Sequence, residues 1–211
     1  MATDEGILVT GRASVSCAPD IAVGVMGVSV RSATAAQAVA EAAQAATALS
    51  AALGAAGMVP GDVSTTQYAV HQEYRHHEGN SIPDGYRVVN TVRVVIRSVD
   101  QVGAILDAVA AAAGEAIEVQ GISFELSDDR AARVDARAAA FADAVASATQ
   151  LAELAGARLS DAVWISEGRS RHAGPGSGPM RAMFAEATTP VSGGELTISA
   201  EVEVRFALVK P

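Results

Sequence analysis

Hydrophobic and polar positions along the chain follow two periods, which predict alternating strands and helices. Residues 21–30 carry apolar side chains at nearly every second position, as a strand with one buried face does. Residues 34–56 instead carry them at three- and four-residue steps, which predicts an amphipathic helix. Gly57 ends that helix, because glycine tolerates the left-handed backbone found after a helical C-terminus.

The order strand, Arg-Ser, helix, glycine, strand occurs twice in the chain. The first copy contains Val-Ser-Val-Arg-Ser at residues 28–32, and the second contains Val-Val-Ile-Arg-Ser at residues 94–98. The two pseudo-repeats cover roughly residues 20–75 and 85–128. This duplication indicates a repeated packing unit and does not indicate a chemistry.

After the repeats, residues 129–211 begin with the longest predicted helix and contain closing strands near residues 159–166 and 196–208. Residues 167–194, rich in Gly, Pro and Ser, predict a long irregular loop. The series mixes hairpins with crossovers. We therefore predict an α+β fold with mixed sheets, three main helices and a duplicated strand-helix-strand unit, in a single domain over residues 1–211.

Composition restricts the core and the partners. Half of the 211 residues are hydrophobic but only 4% are aromatic, so the core must be built from small aliphatic side chains that pack closely. The net charge of −9 and the absence of a basic stripe argue against nucleic-acid binding.

Targeting signals are not recognisable in the sequence. No run approaches the roughly 20 apolar residues of a membrane span. The acidic start of the chain lacks the basic and apolar regions of a secretory signal. The sequence as given therefore predicts a cytoplasmic protein; removal of a leader would make it periplasmic or exported.

The densest group of metal-ligand types lies near the first hairpin, at His71, Glu73, His76 and His77, followed by Glu78. On a strand His71 and Glu73 share one face and His76 lies on the other, so the group converges only if the chain bends. We therefore expect a solvated hairpin tip without metal, and these side chains are weak candidates.

Catalytic side chains are not recognisable either. No hydroxyl or thiol nucleophile stands in a catalytic context, and Cys17 is the only cysteine. Asp128 and Asp129 precede the long helix, where carboxylates cap free N–H groups. We expect no catalytic residue and no cofactor.

Alanines recur every fourth residue on the long helix, so another backbone can approach that face closely. Arg137 has no acid four residues away, which leaves a partner across a sheet, a partner across a subunit boundary, or solvent. Apolar side chains in the long loop either meet a neighbouring subunit or fold back on the chain. The interface candidates are Arg137, Ala140, Ala144, Met180, Met183 and Phe184.

Several short segments, in this order, resemble the SIMPL-domain family. They are Pro19-Asp20, Gly85-Tyr86 with Asn90, Val102-Gly103 with Asp107, Gly121-Ile122-Ser123-Phe124, Leu126-Ser127-Asp128, Ala136-Arg137 with the alanine row to Leu151-Ala152, and Pro190. The resemblance implies an α+β fold that assembles into large rings, with no established enzyme activity. It also implies loose links to the cell envelope and to oxidative stress.

These observations lead to a self-assembling, non-enzymatic scaffold or interaction protein whose expected partner is itself, in a homo-oligomeric ring. The alternative is a small-molecule or metal-binding module, with a site beside the loop at residues 167–194 or near residues 71–78. An enzyme of unrecognised type is the third reading.

Overall fold

The structure is a computed structural model that describes residues 6–77, 79–168, 171–173 (as backbone) and 189–210. The helices are α1 (Ala35–Ala55), α2 (Val102–Ala113) and α3 (Arg130–Leu154). The strands are β1 (Ile7–Cys17), β2 (Ile21–Ser32), β3 (Val63–His77), β4 (Asn80–Ile96), β5 (Ile117–Glu125), β6 (Arg158–Glu167), β7 (Arg171–Ala173) and β8 (Leu196–Val209).

The chain forms two compact units, and the first contains β1, α3, β6, β7 and β8. Its sheet has the order β1-β8-β6, with β7 also paired to β8. Helix α3 packs on β1 and β8. The buried alanines of α3 meet aliphatic side chains of β8 and Phe206, whose ring lies 6.4 Å from that of Phe141.

The second unit contains β2, α1, β3, β4, α2 and β5. Its sheet has the order β3-β4-β2-β5, so each strand-helix-strand copy places its second strand beside the first strand of the other copy. This is the split β-α-β arrangement of ferredoxin-like folds. A core around Met26, Val28, Leu49 and Leu53 lies between the helices and the sheet. The duplication predicted from the sequence is therefore present as a structural repeat.

The α+β fold and the three main helices are confirmed, but the prediction of mixed sheets was wrong. Every strand pair among the described residues is antiparallel. Each crossover through α1 or α2 skips one strand position, so the intervening strand runs antiparallel to both of its neighbours. The single domain remains a prediction, because the chain divides into two units.

Two loop predictions also change. The first hairpin was expected to have a solvated tip that includes His76 and His77, yet β3 runs to His77 and β4 starts at Asn80. The predicted irregular loop at residues 167–194 contains β7, which pairs with β8. In both places polar residues that look like a loop are held by backbone pairing, because a strand with exposed faces tolerates polar side chains.

Candidate functional site

The alanine row of α3 lies against its own unit. Ala140 and Ala144 are 0% exposed, and the backbone at Gly11 of β1 lies so close that a Cβ there would come within 2.1 Å of the Ala140 carbonyl oxygen. The prediction that Ala140 and Ala144 form a subunit interface was wrong, because this contact already uses their methyl groups. The close approach that the row predicted is real, but the partner backbone is β1.

Arg133 and Arg137 of α3 form ion pairs, and Arg137 is the one that the sequence singled out. Arg133 Nε donates to Asp129 Oδ2 at 2.6 Å, across a spacing of four residues. Arg137 Nε donates to Glu167 Oε1 of β6 at 2.8 Å. Of the predicted partners for Arg137, the structure supplies the one across the sheet. Met180, Met183 and Phe184 lie outside the described residues.

The weak metal candidates do not converge. Glu73 Oε1 and Oε2 accept from Arg87, so both carboxylate oxygens already have a cationic partner. His76 Nε2 lies 3.3 Å from Ser81 Oγ on the neighbouring strand. Within the part of the chain that the structure describes, no three His, Cys, Asp or Glu side chains gather around a common point, and Glu78 lies outside that part.

Glu73 belongs to a charged cluster on the face of the second unit's sheet opposite to the helices. Arg87 Nε and Nη2 donate to Glu73 at 2.6 and 3.1 Å, and Arg87 Nη1 donates to Ser29 Oγ at 3.2 Å. Arg31 pairs with Asp84 and lies 3.6 Å from Glu73. The hydrogen bond from Arg87 is the main cause that lowers the pKa of Glu73, against an opposing effect of desolvation. The cluster is neutralised internally, which suits a structural role.

A shallow groove of about 380 Å³ lies on the first unit's sheet between β1 and β8. Its polar side chains pair with each other: Arg12 Nε donates to Glu201 Oε2 at 2.8 Å, and Ser14 Oγ lies 3.0 Å from Ser199 Oγ. Glu201 raises the pKa of Arg12 chiefly through this hydrogen bond. Among the groove residues that the structure describes, neither hydroxyl has a free base beside it, since the carboxylate of Glu201 is held by Arg12. These residues therefore offer no activated nucleophile.

The most exposed apolar strand of the first unit is β6. Val163, Trp164 and Ile165 are consecutive, and their exposed fractions are 58%, 47% and 56%. Among the described residues β6 pairs with β8 alone, so one of its edges carries backbone N–H and C=O groups without a strand partner. An exposed apolar edge strand is a template for pairing with another chain. The sequence predicted a strand near residues 159–166 but not its exposure, since only the packing reveals which side chains stay uncovered.

Residues 7–206 match the model of the SIMPL family, which is described as a protein of unknown function (DUF541). The chain is 30% identical over 146 residues to the uncharacterized protein YggE of Escherichia coli K12, a match that covers 69% of this chain and 58% of YggE. It is also 30% identical over 218 residues to the 26 kDa periplasmic immunogenic protein of Brucella melitensis biotype 1, covering 96% of this chain and 84% of that protein. The chain thus spans less than two thirds of YggE.

Proposed function

The chain belongs to the SIMPL family, a family of unknown function, and we propose that it acts as a non-enzymatic scaffold whose copies assemble along the β6 edge. The observation that carries this proposal is the run Val163-Trp164-Ile165, about half exposed on a strand with one open edge. Pairing this edge with a second strand would cover three apolar side chains and would satisfy its free backbone groups.

The partner that fits this edge best is β6 of a second copy. The strand has Arg158 at its start and Glu167 at its end, with the apolar run between them. Counted residue for residue along β6, whose pairing with β8 shifts register between Leu159 and Trp164, antiparallel self-pairing centred between Ala162 and Val163 places Arg158 of each copy opposite Glu167 of the other. Opposite charges in such cross-strand positions stabilise a pair, whereas a parallel arrangement would align like charges.

A ring requires a second contact, because self-pairing of β6 is isologous and closes as a dimer. Edge strand β3 of the second unit offers a candidate. Tyr68, Val70 and Tyr74 occupy three of four successive alternate positions on β3, with Gln72 at the fourth, and are 57%, 43% and 56% exposed. We therefore propose β6 for the first contact and this β3 stripe for the second contact of a closed homo-oligomer.

The test is the molar mass of the purified chain, measured by light scattering behind a sizing column across a dilution series. Val163→Lys places a charge in the apolar run and should reduce the mass to that of a smaller species. Leu154→Lys makes the same change at a 79% exposed position near the end of α3 and serves as the matched control. A wild-type monomer at every concentration, or equal masses for both variants, would refute assembly through β6.

Compartment and stress linkage are extensions of this proposal. The name of the Brucella relative states that it is periplasmic, which supports the exported alternative over the cytoplasmic prediction. None of the described helices is both long and apolar enough to cross a bilayer. Fractionation of cells that express the native gene tests the compartment. Survival of a deletion strain under peroxide tests the predicted link to oxidative stress.

A further inference from the structure

A cavity of about 200 Å³ lies in the second unit between α1 and the sheet. Leu49 and Leu53 of α1 form one side, and Val63 of β3 and Val92 of β4 form the other. None of the described residues that line the cavity is charged; the polar groups are supplied by residues such as Ser50 and Asn90. Its volume exceeds that of the engineered apolar cavities of about 150 Å³ that bind benzene.

Asn90 breaks the pattern of its strand. The residues that share its side of β4 are Val88, Val92, Val94 and Ile96, all packed in the core clusters. The Oδ1 atom of Asn90 is buried and accepts no hydrogen bond from the described residues. A buried acceptor without a donor is costly, and a branched apolar side chain would fit the pattern at no such cost. With less than 1 Å² of accessible surface, Oδ1 meets the cavity only after the Asn90 amide turns about its χ2 torsion, and an orphaned acceptor beside the cavity then indicates a ligand that supplies the donor.

We propose that this cavity binds a small, neutral, mainly apolar molecule that donates one hydrogen bond to Asn90. Neutrality follows from the uncharged wall, because an ion would lose its hydration without gaining a counter-charge. The ligand is mainly apolar because four aliphatic side chains line the cavity. The cavity volume limits the ligand to about the size of one bicyclic ring system. Ser50, which is exposed on α1, lies at the edge of the cavity. The site does not depend on the assembly proposed above.

Indole and indene test the proposal as a matched pair, because they share shape and differ in the N–H donor. Binding to the full chain is measured by ligand-observed NMR titration. We expect indole to bind with a dissociation constant below about 1 mM and indene to bind about 5–10-fold more weakly. Asn90→Leu should abolish this difference and also raise the thermal unfolding midpoint, because it removes the orphaned acceptor.

Ser50→Phe, which fills the cavity from its edge, should abolish the binding of both probes without touching Asn90. Ala40→Phe adds the same ring at an exposed position of α1 outside the cavity and should leave binding unchanged. Equal affinity for indole and indene would overturn the role of Asn90. No binding of either probe up to the solubility limit would show that the cavity holds only water, and would overturn the site.

Discussion

At the buried carboxylate of Asp62, hydrogen bonding to an arginine has a larger effect on the pKa than desolvation. Its side chain is 4% exposed, and its Oδ1 accepts from Arg97 Nε at 3.0 Å and from Arg97 Nη2 at 2.5 Å. The hydrogen bond from Arg97 is the largest influence and lowers the pKa of Asp62, although desolvation acts in the opposite direction. The pair fixes the short turn before β3 to the end of β4, so it stabilises the second unit.

Asp62→Asn should destabilise the protein at pH 7. In acid the stability difference between variant and wild type should disappear. The folded pKa of Asp62 lies below its unfolded value of about 3.9, so its contribution is present above pH ~4 and disappears as the pH falls through the folded pKa. Urea unfolding of wild type and variant at pH 7 and at pH 2.5 measures the difference. Asp135→Asn, at an exposed position of α3, is the control. A difference that is equal at both pH values would contradict the assignment.

Single-residue predictions succeeded where the partners are close in sequence. The carboxylate of Asp128 accepts from the backbone N–H of Arg130 at 2.9 Å, as capping predicted, whereas the side chain of Asp129 makes no capping bond; Arg130 lowers the pKa of Asp128 to about 2. A carboxylate that bonds to a backbone N–H two residues later needs only the local backbone, so this contact forms whatever the rest of the fold does. The pairing of Asp62 with Arg97 spans 35 residues. It could not be predicted, because the sequence does not state which strands become neighbours.

The contact of α3 with β1 depends on one glycine. A Cβ at Gly11 would lie 2.1 Å from the Ala140 carbonyl oxygen and 2.6 Å from the Ala144 amide nitrogen. Both are backbone atoms of α3, so the clash cannot be relieved by rotating a side chain. The alanine row and Gly11 together allow the helix to approach the strand closely, and the first unit's core is therefore built from small groups.

Gly11→Ala should destabilise the protein by about 2–3 kcal/mol, because α3 must move away from β1 and lose packing along the row. Gly121→Ala is the matched strand control, since a Cβ at Gly121 would meet nothing within 4 Å. That control should change the unfolding free energy by no more than about 0.5 kcal/mol. Denaturant unfolding followed by circular dichroism measures both variants. Similar costs for the two would show that the loss comes from strand glycine itself and not from the helix contact.

The helices and strands themselves were predicted well, because hydrophobic periodicity is a local property. Which strands lie next to each other was not predicted. The alternation in residues 21–30 and the helical period of residues 34–56 identified β2 and α1, and the Thr34 side chain caps α1 by accepting from the Gln37 N–H. The same periods do not report strand order or direction. A row of methyls on α3 likewise predicts a close contact without naming the partner, and for Ala140 it led to a wrong interface.

The two open sheet edges, β6 and β3, would contribute different surfaces to the proposed assembly. The β6 edge combines an apolar centre with opposite charges at its two ends, while β3 offers a stripe of two tyrosines and a valine. Trp164 is the only tryptophan of the chain, so its fluorescence reports on the β6 edge alone. This surface was invisible in the sequence because Val, Trp and Ile in a strand are more often buried than exposed.

Reversing the charges at the ends of β6 tests the proposed antiparallel register. Arg158→Glu would place two carboxylates opposite each other at both ends of the contact and should weaken the association constant about tenfold, since each cross-strand charge pair contributes about 0.2–1 kcal/mol. The double variant Arg158→Glu with Glu167→Lys restores opposite charges and should recover most of that loss. The dilution dependence of Trp164 emission, together with sedimentation velocity, measures the association constants.

Two further variants complete this cycle. Glu167→Lys also removes the ion pair between Glu167 and Arg137. The single variant measures the effect of that loss on association, so that the coupling between positions 158 and 167 can be calculated separately. Arg130→Glu makes the same charge change as Arg158→Glu at an 86% exposed side chain at the start of α3, and should leave association unchanged. If the double variant associates no better than the two single changes predict together, the β6 strands do not pair in this register, although another register along the same edge would still bury the apolar run.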